Sequence, residues 1–537
     1  MKRTCLTCSL LAAMTVLVGC SETRGSAKPE PAAQAVAAVA TPADADAKLP
    51  KNQRLALAPL AGVNLADKAV TELQKVARAN PAKDESWIML GRSWVRKARE
   101  SADPGFYLNA DACAEVVLER SPDDRLALDL RGLVMLNAHK FDEARSLAVN
   151  ITTRHPEDPM AWGTLSDAYL ELGRYQEASD AAQKMIDLKP NLPSYSRASY
   201  LQWLRGDATS AKETVRRALD SGRAGKSDPE PGAWVFVQAA MMFWSEGDFD
   251  GADAGFDKAL ERIGDYAPAN VGKGRVAMAK GDAKRAAELF ERAWKVSPLV
   301  ETAWLMGDAR EAAGDVIGSK QAHALVEHEG RRTDPRTLSL FLSAKNRGPA
   351  ENEDALELAR AEYEGRKDIV GEDAIAWACY RTGKLAEAKA MITRARRLGT
   401  PDARIMFHEG AIRLAAGERE QGAGLIKAAL AKNPAFDVSG VREAKALLEE
   451  RNRLTLTATA TAPRAPGRGR RPASWWLTGP RARPLRAASA GAGAGRRRSS
   501  SLARARRGRW EAARPRCSSA PRWASGGPAT QPGRPRS

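Results

Sequence analysis

Five histidines are the first place to look for metal or acid–base chemistry: His139, His155, His323, His328 and His408. No two stand four apart, the spacing at which two imidazoles on one helical face share a zinc ion, and His323 and His328, five apart, diverge on a helix. Gly272-Lys273-Gly274 lacks the spacing of a phosphate-cradling loop, and no Gly-x-Ser-x-Gly elbow presents a nucleophilic serine. Acidic residues are plentiful, 66 in all, but solvated helix faces account for them. These residues argue against an enzyme and call for no metal and no cofactor. What remains is a scattered set of interface-type side chains: Tyr200, Trp203, Trp234, Met241, Trp244, Arg275, Met278, Trp304, Trp377 and Tyr380. Aromatic, Met and Arg side chains anchor protein interfaces because each buries much area with few rotamers. They act together only if the chain turns them to one wall.

A repeated element does that. In DPMAWGTLSDAYLELGRYQEASDAAQKMIDLKP, Asp158 to Pro190, the side chains of Trp162, Leu165, Ser166 and Tyr169 share one helical face. Gly173 breaks that helix, and Tyr175, Ala178, Ala182 and Met185 mark a second face. Large residues on one helix meet alanines on the next, so two antiparallel helices can pack closely. The same beat recurs through Gly132 and Phe141, Gly206-Asp207, Gly247-Asp248-Phe249, Gly281-Asp282, Gly383 and Gly417. Spacing, residue size and break position resemble the tetratricopeptide repeat, whose period is 34 residues. Three stretches, Asp373-Ala374-Ile375-Ala376-Trp377, Tyr380-Arg381-Thr382-Gly383 and Phe407-His408-Glu409-Gly410, are similar to the C-terminal repeats of exported bacterial members of that family. The resemblance implies an all-α, right-handed superhelical solenoid of about ten helix pairs, with Leu65 to Ala79 and Val441 to Arg451 as capping helices. It also implies that each first helix lines a concave wall. The ten interface residues project onto that wall, as a groove for other proteins or peptides. Each repeat is expected to bury its faces only against its neighbours.

Met1-Lys2-Arg3 and an apolar run from Leu6 to Val18 suit a signal peptide, too short for a permanent membrane span. Leu17-Val18-Gly19-Cys20 resembles the bacterial lipobox at all four positions. That resemblance implies cleavage before Cys20 and a lipid, palmitate included, carried on its thiol. Ser21 follows where an aspartate would favour inner-membrane retention, so the outer membrane, facing the periplasm, is the expected location. The periplasmic face of the inner membrane is the alternative. The Ala- and Pro-rich stretch that follows cannot bury enough apolar surface to fold and reads as a tether. Cys113 and Cys379 lie far apart in a linear array and are not expected to pair.

The net charge of +18 suggests a nucleic-acid binder until its location is counted. After Arg453 the chain holds 19 arginines, no lysine and one acid, which leaves 65 basic and 65 acidic residues before it. The repeat body is neutral. The tail lacks Lys, Ile, Val, Asn, Asp, Phe, Tyr, His and Met, residues with mostly AT-rich codons, as a GC-rich gene read out of frame would. Two readings stand: a frameshift product, or a disordered basic tail that binds anionic lipid or nucleic acid.

The expected organisation is therefore a signal at 1–19, a lipidated Cys20 and tether at 20–55, a solenoid at 56–452 and a disordered tail at 453–537. The expected function is a non-enzymatic scaffold, a lipoprotein that assists assembly of an envelope protein complex. A regulator or accessory subunit of a cell-envelope enzyme, and a binder acting through the basic tail, are the alternatives. Nucleic acid is not an expected partner of the body.

Overall fold

The computed structural model describes residues 48–101, 103–222 and 229–461. The expected signal peptide and lipobox with Cys20, most of the expected tether and nearly all of the tail lie outside them. Among the described residues there are 23 helices and no strand. Ten antiparallel pairs run from Asp84–Ser101 with Phe106–Leu118 through Ala403–Ala415 with Arg419–Lys432. They form the right-handed superhelical solenoid.

Local chemistry starts and stops each helix. Asp158, in extended backbone, accepts from the Met160 amide, and Pro159 occupies the first helical position. Asn191 and Ser194 exchange a capping box ahead of Leu192–Leu204. From the second pair on, each pair bends at a left-handed residue, usually glycine: Gly173, Gly206, Gly247, Gly281, Gly314, Gly383 and Gly417 all have φ between 71° and 86°. Between the two helices of a pair, Ala178, Ala211 and Ala355 are fully buried. There a buried serine of the first helix donates to an alanine carbonyl of the second: Ser166 to Ala178 (2.9 Å), Ser199 to Ala211 (2.8 Å) and Ser339 to Ala355 (2.7 Å). The close approach is strict, since a Cβ on Gly274 would meet the Phe290 ring of the same pair at 2.5 Å.

Two boundaries differ from the sequence expectation. Lys51–Ala56, inside the expected tether of 20–55, is a helix. It is held because the Trp94 indole donates to the Ala56 carbonyl (2.9 Å) and the Asn109 amide to that of Leu55 (2.7 Å). The final helix runs Val438–Thr461, past the expected end of the solenoid at 452. Cys113 and Cys379 are buried free thiols, and burial raises the pKa of each. No helix among the described residues is long and apolar enough to cross a membrane.

The expectation that repeats touch only their neighbours is wrong for this chain. The coil winds tightly enough for the bend inside one pair to rest on the start of a helix six pairs further on. The Ile369 amide donates to the Tyr175 hydroxyl oxygen at 2.8 Å, across 194 residues. The Thr400 hydroxyl donates to the Leu204 carbonyl at 2.5 Å, and the Asn433 side-chain amide to the Trp244 carbonyl at 2.8 Å. Arg366 pairs with Glu171 at 2.5 Å. Three bend glycines make this approach possible. A Cβ on Gly173 would lie 2.2 Å from the Lys367 carbonyl oxygen, and one on Gly206 or Gly247 would lie 2.8 Å from the Gly399 or Lys432 oxygen.

Gly281 has the same left-handed backbone as Gly173, but its Cβ would meet nothing within 4 Å. Alanine at either position carries the left-handed strain of about 1 kcal/mol. Only Gly173→Ala also collides with the next turn. We expect it to lower unfolding free energy by at least about 1 kcal/mol more than Gly281→Ala in urea melts. Equal losses would show that the turn-to-turn contact does not form in solution.

Candidate functional site

The structure divides the ten expected wall residues. Trp244, Trp304 and Trp377 are buried; Trp377 is only 2% exposed. Trp244 packs on Phe249 at 5.1 Å, and Trp304 meets Phe341 edge-on at 5.6 Å. Trp203 is half-buried with Leu204 and Tyr175 against Ile369, Val370 and Leu398, so it belongs to the contact between turns. The three buried rings fill seams and are corrected from groove to core, while Trp203 lines the contact between turns. Met241 and Met278 pack along the edges of buried clusters. Tyr200 and Trp234 remain exposed, Trp234 at 50%, while the Arg275 side chain is only 16% exposed and paired with Glu301.

The C-terminal end of the expected groove is filled by the chain itself. The final helix, Val438–Thr461, brings Val441, Leu447 and Leu448 against the cluster that holds Trp377, Tyr380 and Phe407. Its Glu443 takes both prongs of the Arg381 guanidinium, at 2.8 and 2.6 Å, and that guanidinium lies 4.3 Å over the Trp377 ring. The three family-like stretches meet beneath it. Asp373 pairs with the His408 Nδ1 at 2.8 Å, and the imidazole stacks on Trp377 at 4.0 Å. His408 is thereby a satisfied core histidine. Gly410 is required by packing, because a Cβ there would sit 2.7 Å from Ile426.

Sequence reading overlooked most of the charge inside the coil. Arg197 forms a fork to Asp167 at 2.8 and 2.6 Å, and Arg275 pairs with Glu301 at 2.7 Å. Arg336 reaches Asp368 at 2.8 Å. These groups also act across the interior. Arg275 foremost holds the Glu301 carboxyl below its usual range, and Arg404 and Arg336, from helices further along the coil, add to the effect. Burial, then the Glu171 and Asp368 carboxylates, pushes the Tyr200 hydroxyl well up, against the opposing field of Arg366 and Arg336. The signal for these residues was available, since each lies on a first helix as Arg275 does. Their acid partners come from other helices, which helix periodicity does not reveal. A further cleft of about 580 Å³ lies beside the final helix, between His323, Lys345 and Arg442. Its Lys345 is bonded to Asp308 at 2.7 Å. Among the described residues no three His, Cys, Asp or Glu side chains gather as a metal site.

The arrangement is a neutral interior of paired arginines and carboxylates, with Tyr200 and Trp234 as open apolar faces. It offers contact area and hydrogen bonds. If Trp203 and Trp244 are seam residues, Trp203→Ala with Trp244→Ala costs several kcal/mol through cavities. If Tyr200 and Trp234 are wall residues, their double alanine variant costs under about 1 kcal/mol. Denaturant unfolding of the two variants compares them directly, and the reverse order would restore Trp203 and Trp244 to the groove.

Comparison with known proteins follows the geometry. The tetratricopeptide repeat family pattern matches residues 129–193 and 237–298. A tetratricopeptide-repeat-containing protein of Pseudomonas aeruginosa is 34% identical over 98 residues, 17% of this chain and 93% of that protein. Among solved structures, a widely conserved type IV pilus biogenesis factor, PilW, aligns at 13% identity and TM-score 0.33, covering 38% of this chain and 93% of that one. A thermophilic repeat protein of Thermus thermophilus aligns at 21% identity and TM-score 0.30, covering 34% and 92%.

Proposed function

We propose that this chain, which belongs to the tetratricopeptide repeat family, is a non-enzymatic scaffold that holds a polypeptide segment of a partner inside its coil and assists assembly of an envelope protein complex. The observation that carries this reading is the pair of open rings, Tyr200 and Trp234, on a wall whose charges are already neutralised in pairs. A peptide can stack apolar side chains on such rings and bond its amides to the paired groups. A nucleic acid gains its affinity from unpaired cations that displace counterions. Here it would first have to separate Asp167 from Arg197 and Glu301 from Arg275.

Tyr200→Ala with Trp234→Ala should weaken capture of an envelope partner tenfold or more, about 1.4 kcal/mol, while the unfolding transition stays in place. Undiminished capture by the folded double variant would remove the interior from the site.

The anchor in this reading is a lipid on Cys20, supported by the four-residue lipobox behind a basic head and an apolar run. Ser21 supports the outer membrane, with the scaffold facing the periplasm. Cys20→Ala should abolish labelling by radioactive palmitate and move the protein from the membrane to the soluble fraction. Unchanged labelling would refute the anchor.

A further inference from the structure

The contact between turns joins two different edges of the solenoid. One edge carries the bends inside the helix pairs; the other carries the loops that lead into each first helix. In the first half of the chain the bends are occupied. Gly173, Gly206 and Gly247 each face a backbone carbonyl of a later loop within 2.2 to 2.8 Å of a would-be Cβ. In the second half no described residue covers the same edge. At Gly281, Gly314, Gly348, Gly383 and Gly417 a Cβ would find nothing within 4 Å. The complementary loop edge is likewise uncovered ahead of Arg125–Asn137 and Pro159–Glu171, two early first helices.

Both bare edges carry the kind of side chain that the occupied contact buries. Within the chain, Asp368 caps Ile369–Arg381, and the helix's first two residues, Ile369 and Val370, pack against Tyr175 and Trp203. Asp124 and Asp158 cap their helices in the same way. The second residue after each cap is again apolar, Leu126 and Met160, and both are exposed. On the opposite edge, Tyr175 opens the second helix after the Gly173 bend and is buried by the contact. The corresponding residue after the Gly314 bend is Val316, followed by Ile317, and they are 57% and 74% exposed. The molecule thus ends in two unmatched halves of an interface that it makes once with itself.

We propose that a second copy of this chain docks end to end on the first, the bend edge around Val316 and Ile317 of one copy meeting the loop edge around Leu126 and Met160 of the next. The interface joins unlike surfaces, so its repetition generates an open stack and not a closed pair. Each added copy extends the coil by the contact that already joins its own turns. The inference does not rest on the partner-binding role.

Sedimentation of the full chain in detergent tests it. The weight-average mass should climb past that of two copies as concentration rises through the micromolar range. Ile317→Glu and Leu126→Glu, one on each edge, should each hold the protein at a single copy. Both residues are exposed, so helix content and melting temperature should match wild type. An equal mixture of the two variants should form a pair and nothing larger, because it contains one intact copy of each edge. Wild type that stays a single copy throughout would overturn the proposal. A discrete pair formed by either variant alone would also overturn it, since that requires a self-complementary surface.

Discussion

The contact between successive turns is the constraint on which the rest of this structure depends. It needs a backbone that approaches another backbone with no side chain between, and glycine with positive φ is the residue that permits this without strain. Gly173, Gly206 and Gly247 serve the bend of each helix pair and the landing place of the next turn at once. Hydrogen bonds from Ile369, Thr400 and Asn433 then join residues 189 to 196 positions apart. Solenoids that couple only nearest neighbours can open one repeat at a time. Here an early pair and a late one stabilise each other, so partial opening at either end loses contacts in both. The contact is also slow to reach, because long chain segments must close before it forms.

The same winding decides what the interior can be. Bringing turns together draws opposite walls close enough for Arg404 and Arg336 to act on Glu301 beside its own partner Arg275. Charges confined in such a space must be paired, since an isolated one is costly to strip of water. Arginine suits the role because its planar fork can hold a carboxylate with two bonds, as Arg197 holds Asp167. The result is an interior in which Arg197, Arg275 and Arg336 each meet a carboxylate. Its selectivity must come from shape and from a few open rings.

The ends are managed by the chain itself. At the start, Lys51–Ala56 lies against the first pair, where it gives the Trp94 indole an acceptor. At the other end, Val438–Thr461 occupies the place of a further first helix. Its Glu443 satisfies the Arg381 guanidinium, which would otherwise lie over Trp377 without an acid. A stretch of wall that looks like a ligand groove in isolation is thereby closed.

Much of this molecule is legible in its residues alone. The repeat beat of glycine, large aromatic and alanine specifies the helix pairs, and Gly410 reads correctly as a packing glycine, because close helix contact leaves a local mark in residue size. What only the tertiary structure decided is which aromatic residues are free. Trp203 and Trp234 have the same chemistry, yet the first packs on a cluster that includes Ile369 of a later turn while the second is half exposed. That difference follows from the pitch of the coil. Pitch is the sum of small rotations at every pair, each set by how side chains interlock, and no short run of residues encodes it.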